Sequence, residues 1–249
     1  MIPWRVLATV PTDDGPLELR QRGDDQFLIV VAGRVLMTST TKISERALAT
    51  FAIDAIATRP SPRVLVGGLG MGYTVRAALD ALTAHRRTGS VTVCELTPAV
   101  VDWCQGPLAR LTDSCLADPR VKVEIGDVAR HIARARPGAY DAIVLDLYEG
   151  PYVATQRRED PCFGPTALAR THAALAPGGV FAVWAEDHDA GFVRRLEACN
   201  FTARYHKLGE GGRHHVVYVA TRVAAQAAPA RAARRPGPAR PPASPRRRR

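Results

Sequence analysis

Residues 63–72 read Arg-Val-Leu-Val-Gly-Gly-Leu-Gly-Met-Gly, a short apolar run that passes straight into a glycine cluster. An amphipathic stretch follows from Tyr73 to Leu82. The pattern specifies a buried strand, a tight turn and the start of a helix. Glycine serves where the backbone needs positive φ, or where a ligand must approach the main chain with no Cβ in the way. An adenosine or phosphate group beyond the strand end is therefore expected, and the residues that follow decide which nucleotide is meant.

The rest of the chain repeats this unit. A helix is expected over 44–56, with Leu48, Phe51, Ala52, Ala55 and Ile56 on one face, stopped by Pro60 and Pro62. Strands over 64–66, 91–94, 121–124, 142–145 and 180–184 alternate with helices over 73–84, 98–104, 128–135, 166–175 and 190–199. Two last strands, 202–207 and 215–220, flank a glycine-rich turn. Apolar strands alternating with helices imply a parallel sheet covered on both faces. A closing pair of strands with no helix between them implies an antiparallel hairpin at one edge. The expected class is α/β, a Rossmann-like class I S-adenosylmethionine-dependent methyltransferase fold. Residues 1–42 alternate in short runs separated by turn chemistry and are expected to form a small antiparallel β-segment before it.

Charge divides the chain into parts. The net charge of +10 is concentrated at the C-terminus, where residues 223–249 carry eight arginines and no acid, leaving +2 for residues 1–222. The expected division is a β-hairpin segment over 1–42, a nucleotide-binding catalytic domain over 43–222 and a disordered Pro/Ala/Arg-rich tail over 223–249. Such a tail can make weak contacts with nucleic acid or an anionic surface. The five cysteines (Cys94, Cys104, Cys115, Cys162 and Cys199) are scattered without a C-x-x-C pair. They read as small buried hydrophobes in a reducing compartment, with no metal site. No apolar run approaches the ~20 residues of a membrane span, and no secretory signal pattern is present. A cytoplasmic protein is expected.

In open α/β sheets, ligands bind beyond the carboxyl ends of the strands. Four strand ends here carry suggestive residues. The first has Gly67, Gly68, Gly70 and Gly72; the second has Glu95, placed to accept hydrogen bonds from ribose hydroxyls. The third has Gly126-Asp127, suited to an adenine amino group, and the fourth has Asp146. The G-x-G-x-G spacing differs from the G-x-G-x-x-G of dinucleotide enzymes, and no P-loop is present. Structural alternatives stay open: Glu95 and Asp127 as helix caps, Asp146 as a buried structural acid.

The motifs Val64-Leu-Val-Gly-Gly-Leu-Gly-Met-Gly72, Val93-Cys-Glu95-Leu-Thr-Pro98, Asp118 to Asp127, Tyr140-Asp-Ala-Ile-Val-Leu-Asp146 and Leu175-Ala-Pro-Gly-Gly-Val180 occur in order. In them the chain resembles the spermidine synthase family of polyamine aminopropyltransferases, over roughly residues 4–221. The resemblance implies that Glu95 holds the ribose of S-adenosylmethionine or its decarboxylated form, that Asp127 holds the adenine, and that Asp146 deprotonates an attacking amine. It implies Glu45, Tyr148, Glu149 and Tyr152 as amine-binding residues, and a homodimer. The family's glycine-loop acid is replaced by Gly70. The implied activity is alkyl transfer, aminopropyl above all, to a small amine. Methyl transfer on the same scaffold and nucleotide binding without turnover are the alternatives.

Three further groups have local readings. Asp189 either faces the acceptor or caps the helix after it. His214 and His215 adjoin a terminal strand, where a cross-strand or surface role is expected. Residues 156–160 lie in the loop after Asp146 as a lid or a polar surface loop.

Overall fold

The structure is a computed structural model that describes residues 2–40, 42–148, 150–151, 159–209 and 214–223. Glu149, Tyr152, most of the loop after Asp146 and the arginine-rich tail from residue 224 lie outside the described residues.

The chain opens with a meander of four antiparallel strands: β1 (Arg5–Thr12), β2 (Gly15–Arg22), β3 (Gln26–Val31) and β4 (Arg34–Thr38). Alternation along β2 and β3 turns Leu17, Leu19, Phe27 and Ile29 to one side, where they join the main core. Helix α1 (Ile43–Ala55) then leads to β5 (Arg63–Gly67) and α2 (Tyr73–Ala84). The units β6 (Ser90–Glu95)–α3 (Pro98–Gln105) and β7 (Val121–Ile125)–α4 (Val128–Arg134) follow. After them come β8 (Tyr140–Leu145), α5 (Pro165–Ala174), β9 (Leu175–Ala185), α6 (Ala190–Ala198), β10 (Phe201–Leu208) and β11 (His215–Arg222).

The main sheet has the order β10-β11-β9-β8-β5-β6-β7. Strands β7, β6, β5, β8 and β9 are parallel neighbours; β11 runs antiparallel to β9, and β10 antiparallel to β11. The chain moves outward from β5 to β7 and then returns to lay β8 on the other side of β5. That reversal opens a crevice beyond the carboxyl ends of β5 and β8. Apolar residues on the two faces of the sheet fill two core clusters, one shared with α1, α2 and the N-terminal meander, the other with α4, α5 and α6.

Three local features depart from the sequence reading. On α1 the buried face is Leu48, Ala49, Ala52 and Ile53, while Ala55 is exposed. The helix is wedged between α2 and strands β9 and β11, which widens and rotates its apolar stripe. Strand β9 begins at Leu175, not near 180, because Leu175 pairs with Tyr140 and a bulge follows before Ala142 meets Val180. Two unforeseen 3₁₀ turns, Ala109–Thr112 and Cys115–Ala117, place Thr112 and Cys115 against the glycine turn at Gly72.

The edge of the sheet opposite the crevice is tied by one carboxylate. Asp141 is 4% exposed and accepts from Arg59 Nη1 at 2.7 Å, Arg63 Nε at 3.0 Å and the Arg63 backbone N–H at 2.8 Å. Burial raises its affinity for a proton, but the Arg63 hydrogen bonds and the Arg63 and Arg59 charges outweigh this and hold its carboxyl below the usual value. Both arginines are partly exposed, so the pair is worth less than a fully buried one. Asp141→Asn is expected to cost about 2 kcal/mol at pH 7 in urea denaturation. Its folded-state value is depressed, so the contribution is present above about pH 4 and lost on acidification through that lowered value. The gap between variant and parent therefore closes in acid.

Candidate active site

The four strand ends singled out in the sequence meet in one cavity of about 710 Å³. Gly68 and Gly70 follow β5, Glu95 ends β6, Gly126 and Asp127 follow β7, and Asp146 and Tyr148 follow β8; all line it. Trp184 from β9, Glu45 from α1, and Leu17, Ile29, Val31, Leu36 and Met37 from the meander complete the wall, with Asp13 and Asp14 from the β1–β2 turn. Among the described lining residues, six are acids and none is Lys, Arg or His.

The glycine turn is built for close approach. Gly68 has φ +85°, and a Cβ there would meet the Asp146 carbonyl oxygen at 2.4 Å. Gly70 has φ +54°, and a Cβ there would meet Met37 Sδ at 2.9 Å. Met37 Sδ also accepts from the Met71 N–H at 3.3 Å, so the meander closes directly over the turn. Gly67 and Gly72 do not line the cavity. Gly67 leaves room for Leu145 and Val128, and Gly72 is the left-handed residue that starts α2. Both shape the turn without facing the cavity.

Glu95 is 8% exposed. Its Oε2 accepts from the Leu69 N–H and its Oε1 from the Thr97 N–H, both at 2.8 Å. The carboxylate therefore locks the glycine turn to the end of β6, and each oxygen keeps a lone pair for a further donor. Asp127 plays two parts. Its Oδ1 caps α4 by accepting from the Ala129 N–H at 2.8 Å, and the side chain also lines the cavity.

Asp146 lies partly buried beside α2. Its Oδ2 is 2.5 Å from Thr74 Oγ1, which is also 3.4 Å from the Glu45 carbonyl oxygen. The single hydroxyl proton can serve either acceptor, so Thr74 accommodates Asp146 charged or neutral. Burial, and then the nearby negative charge of Glu45, push Asp146 up to about 7, against the lowering effect of the Thr74 bond. A carboxyl poised there exchanges a proton readily at neutral pH, as a general base must. Burial and Glu45 likewise push the neighbouring Tyr73 phenol up to about 12.

Several predicted residues fall elsewhere. Glu149 and Tyr152 lie outside the described residues. Asp189 is a cap: buried at 3%, it accepts from the Gly191 N–H at 2.6 Å, and it is absent from the cavity wall. His215 is half-buried on β11, where its ring packs against Trp184 of the neighbouring strand β9 and its Nδ1 lies 2.9 Å from Ser44 Oγ, a cross-strand contact as expected. Sequence reasoning passed over Thr74, Ser44, Met37, Trp184, Asp13 and Asp14. Thr74 carried a usable signal, a hydroxyl among Tyr73, Val75, Ala77 and Ala78 on the buried face of α2.

A sheet of this order, with an acid-lined cavity at the β5–β8 reversal, defines the class I S-adenosylmethionine-dependent transferase fold. The chain matches the spermine/spermidine synthase domain family over residues 52–210, and it belongs to that family. It is 35% identical over 127 residues to a spermine synthase of Arabidopsis thaliana, an alignment covering 51% of this chain and 33% of the relative. It is 33% identical over 128 residues to a putrescine N-methyltransferase of Nicotiana tabacum, covering 51% of this chain and 31% of that protein. The matched region thus spans about a third of these curated relatives. The solved spermidine synthase of Thermotoga maritima superposes with a TM-score of 0.66 at 20% identity, covering 88% of this chain and 72% of that one. At that identity the likeness establishes the fold.

Two outcomes follow for Asp146. Its folded-state value lies above its unfolded one, so its contribution favours the fold below about pH 4 and is lost as pH rises through about 7. The cost above that is at most roughly 4 kcal/mol. Asp146→Asn is therefore expected to melt higher than the parent at pH 8.5, with the gain vanishing below about pH 4; calorimetric melts across that range check it. Thr74→Val removes the bond that stabilises the charged form. In NMR titration, the Asp146 carboxyl is expected to move upward by about one pH unit.

Proposed function

We propose that this protein transfers an aminopropyl group from decarboxylated S-adenosylmethionine to an amine. The observation that carries the reading is the charge of the cavity: six carboxylates and no basic side chain among its described lining residues. Such a wall suits cations, and among its described lining residues it offers no basic side chain to the carboxylate of the intact donor. Polyamines alternate ammonium groups with methylene runs. The cavity matches this with acids at Glu45, Asp146, Asp13 and Asp14 and an apolar wall of Leu17, Ile29, Val31 and Leu36.

In this reading Glu95 takes the ribose hydroxyls through its spare lone pairs, and Asp127 takes the adenine amino group. The glycine turn admits the nucleoside against the backbone. When bound, the sulfonium supplies an activated carbon and a neutral thioether leaving group. Asp146 removes one proton from the acceptor ammonium, whose ordinary value of about 10.4 leaves it protonated at neutral pH. The freed amine forms the new C–N bond as the C–S bond breaks, its electron pair passing to sulfur. The product nitrogen keeps a positive charge, and Asp146 releases its proton to solvent. Positioning for in-line attack supplies the remaining acceleration. Glu45 holds the acceptor in place as its counter-charge.

Calorimetry with the two donors tests the reading. The decarboxylated form is expected to bind at least about tenfold tighter than the intact one; tighter binding of the intact donor contradicts it. Product analysis then distinguishes aminopropyl transfer, which releases methylthioadenosine, from methyl transfer, which releases S-adenosylhomocysteine. Asp146→Asn is expected to keep donor affinity within about twofold while losing turnover by at least about 100-fold.

A further inference from the structure

Glu45 is 8% exposed in the first turn of α1, yet no arginine or lysine is bonded to it among the described residues. Its support comes from Ser44 and His215. Ser44 is 1% exposed, and its Oγ donates to Glu45 Oε2 at 2.9 Å. The same Oγ lies 2.9 Å from Nδ1 of His215, which is 171 positions away in the chain, on β11. A serine hydroxyl has one proton. Because that proton points to the carboxylate, the oxygen must accept from His215, which assigns a proton to Nδ1. The three groups form a chain of one polarity: imidazole N–H to hydroxyl oxygen, hydroxyl proton to carboxylate. Trp184 packs its ring against His215, with centroids 4.8 Å apart, and itself lines the cavity.

We infer that Ser44 and His215 are positioning residues. Their hydrogen-bonded chain holds the Glu45 carboxylate turned into the cavity, where it takes an acceptor ammonium while Asp146 takes the proton. The inference rests on the amine-transfer reading above. It explains why two acids at one end of a cavity can do different work. Among the described residues Asp146 has only the neutral Thr74 hydroxyl as a side-chain partner, whereas Glu45 has a directed donor chain and the positive end of α1. The titratable groups around Glu45 are Asp146 from the end of β8, Tyr73 from α2 and His215 from β11. Lys42 lies over the Tyr73 ring, 5.4 Å from its centre. Among the described residues only His215 reaches Glu45 through a donor chain, so it is the group whose removal should be felt there.

The test measures binding of 1,4-diaminobutane by calorimetry in the presence of methylthioadenosine, together with steady-state kinetics using decarboxylated donor. Ser44→Ala and His215→Leu are expected to weaken diamine binding and raise its KM about tenfold. Donor affinity and kcat should stay within about twofold. Ser44→Thr keeps the hydroxyl, and His215→Asn places an amide N–H where Nδ1 stood; both should restore diamine affinity to within about threefold of the parent. Parent-like diamine affinity in both Ser44→Ala and His215→Leu overturns the inference alone. So does an equal loss of donor and diamine affinity, which a purely structural role would give. A parent that neither binds the diamine nor turns over overturns the amine-transfer reading, and the inference with it.

Discussion

The cavity is organised around the pair Glu45 and Asp146, two acids brought to one end of it with no basic side chain among the described lining residues. Burying like charges together is costly unless one is neutralised or a cation arrives. The fold holds the pair there through separate devices. The end of β8 and the Thr74 hydroxyl fix Asp146, and the first turn of α1 with Ser44 and His215 fixes Glu45. The consequence is a site in which one acid sits near pH 7 and can move a proton while the other supplies charge. In the proposed function, the other features of the cavity deliver a nucleoside and an amine to that pair.

Delivery depends on the glycine turn, and the turn is held from three sides. Glu95 accepts the Leu69 N–H, Met37 Sδ accepts the Met71 N–H, and the Gly68 N–H donates to the Cys94 carbonyl. Cys104 and Cys115 add weak S–H bonds to the carbonyls of Gly70 and Gly72 from beneath. Burial pushes both thiols up, so at neutral pH they stay protonated and serve as small buried donors. The turn is thus rigid before any ligand binds, which limits the ordering cost of binding. The N-terminal meander is part of this arrangement: it brings Met37 over the turn and puts an apolar wall opposite the acids.

What could be read from the sequence was what is local along the chain. The βα alternation, the glycine turn and the strand-end acids Glu95, Asp127 and Asp146 follow from apolar periodicity and from the rule that ligands sit beyond strand ends. Residues that reach the cavity through tertiary packing were not legible. Ser44 and His215 are brought together by β11 folding back beside α1, and nothing in the local pattern of either announces it. Met37 looked like one apolar residue of a short strand. Asp189 was ambiguous because an acid before a helix suits both a cap and a ligand site, and only its bond to Gly191 decides between them. The start of β9 was misplaced for a similar reason. Proline and paired glycines read as a loop, yet the strand's pairing with β8 begins before them, at Leu175 opposite Tyr140.

Asp146 is held at an elevated value by burial and by Glu45, ready in the proposed reaction to hand its proton over once a cation enters. Carbon-13 NMR of the labelled aspartate carboxyl groups, titrated with and without 1,4-diaminobutane, addresses it directly. Asp146 is expected to titrate near 7 in the free protein and to fall by at least about one pH unit when the diamine binds. An Asp146 carboxyl that titrates near 4 in both cases would contradict it.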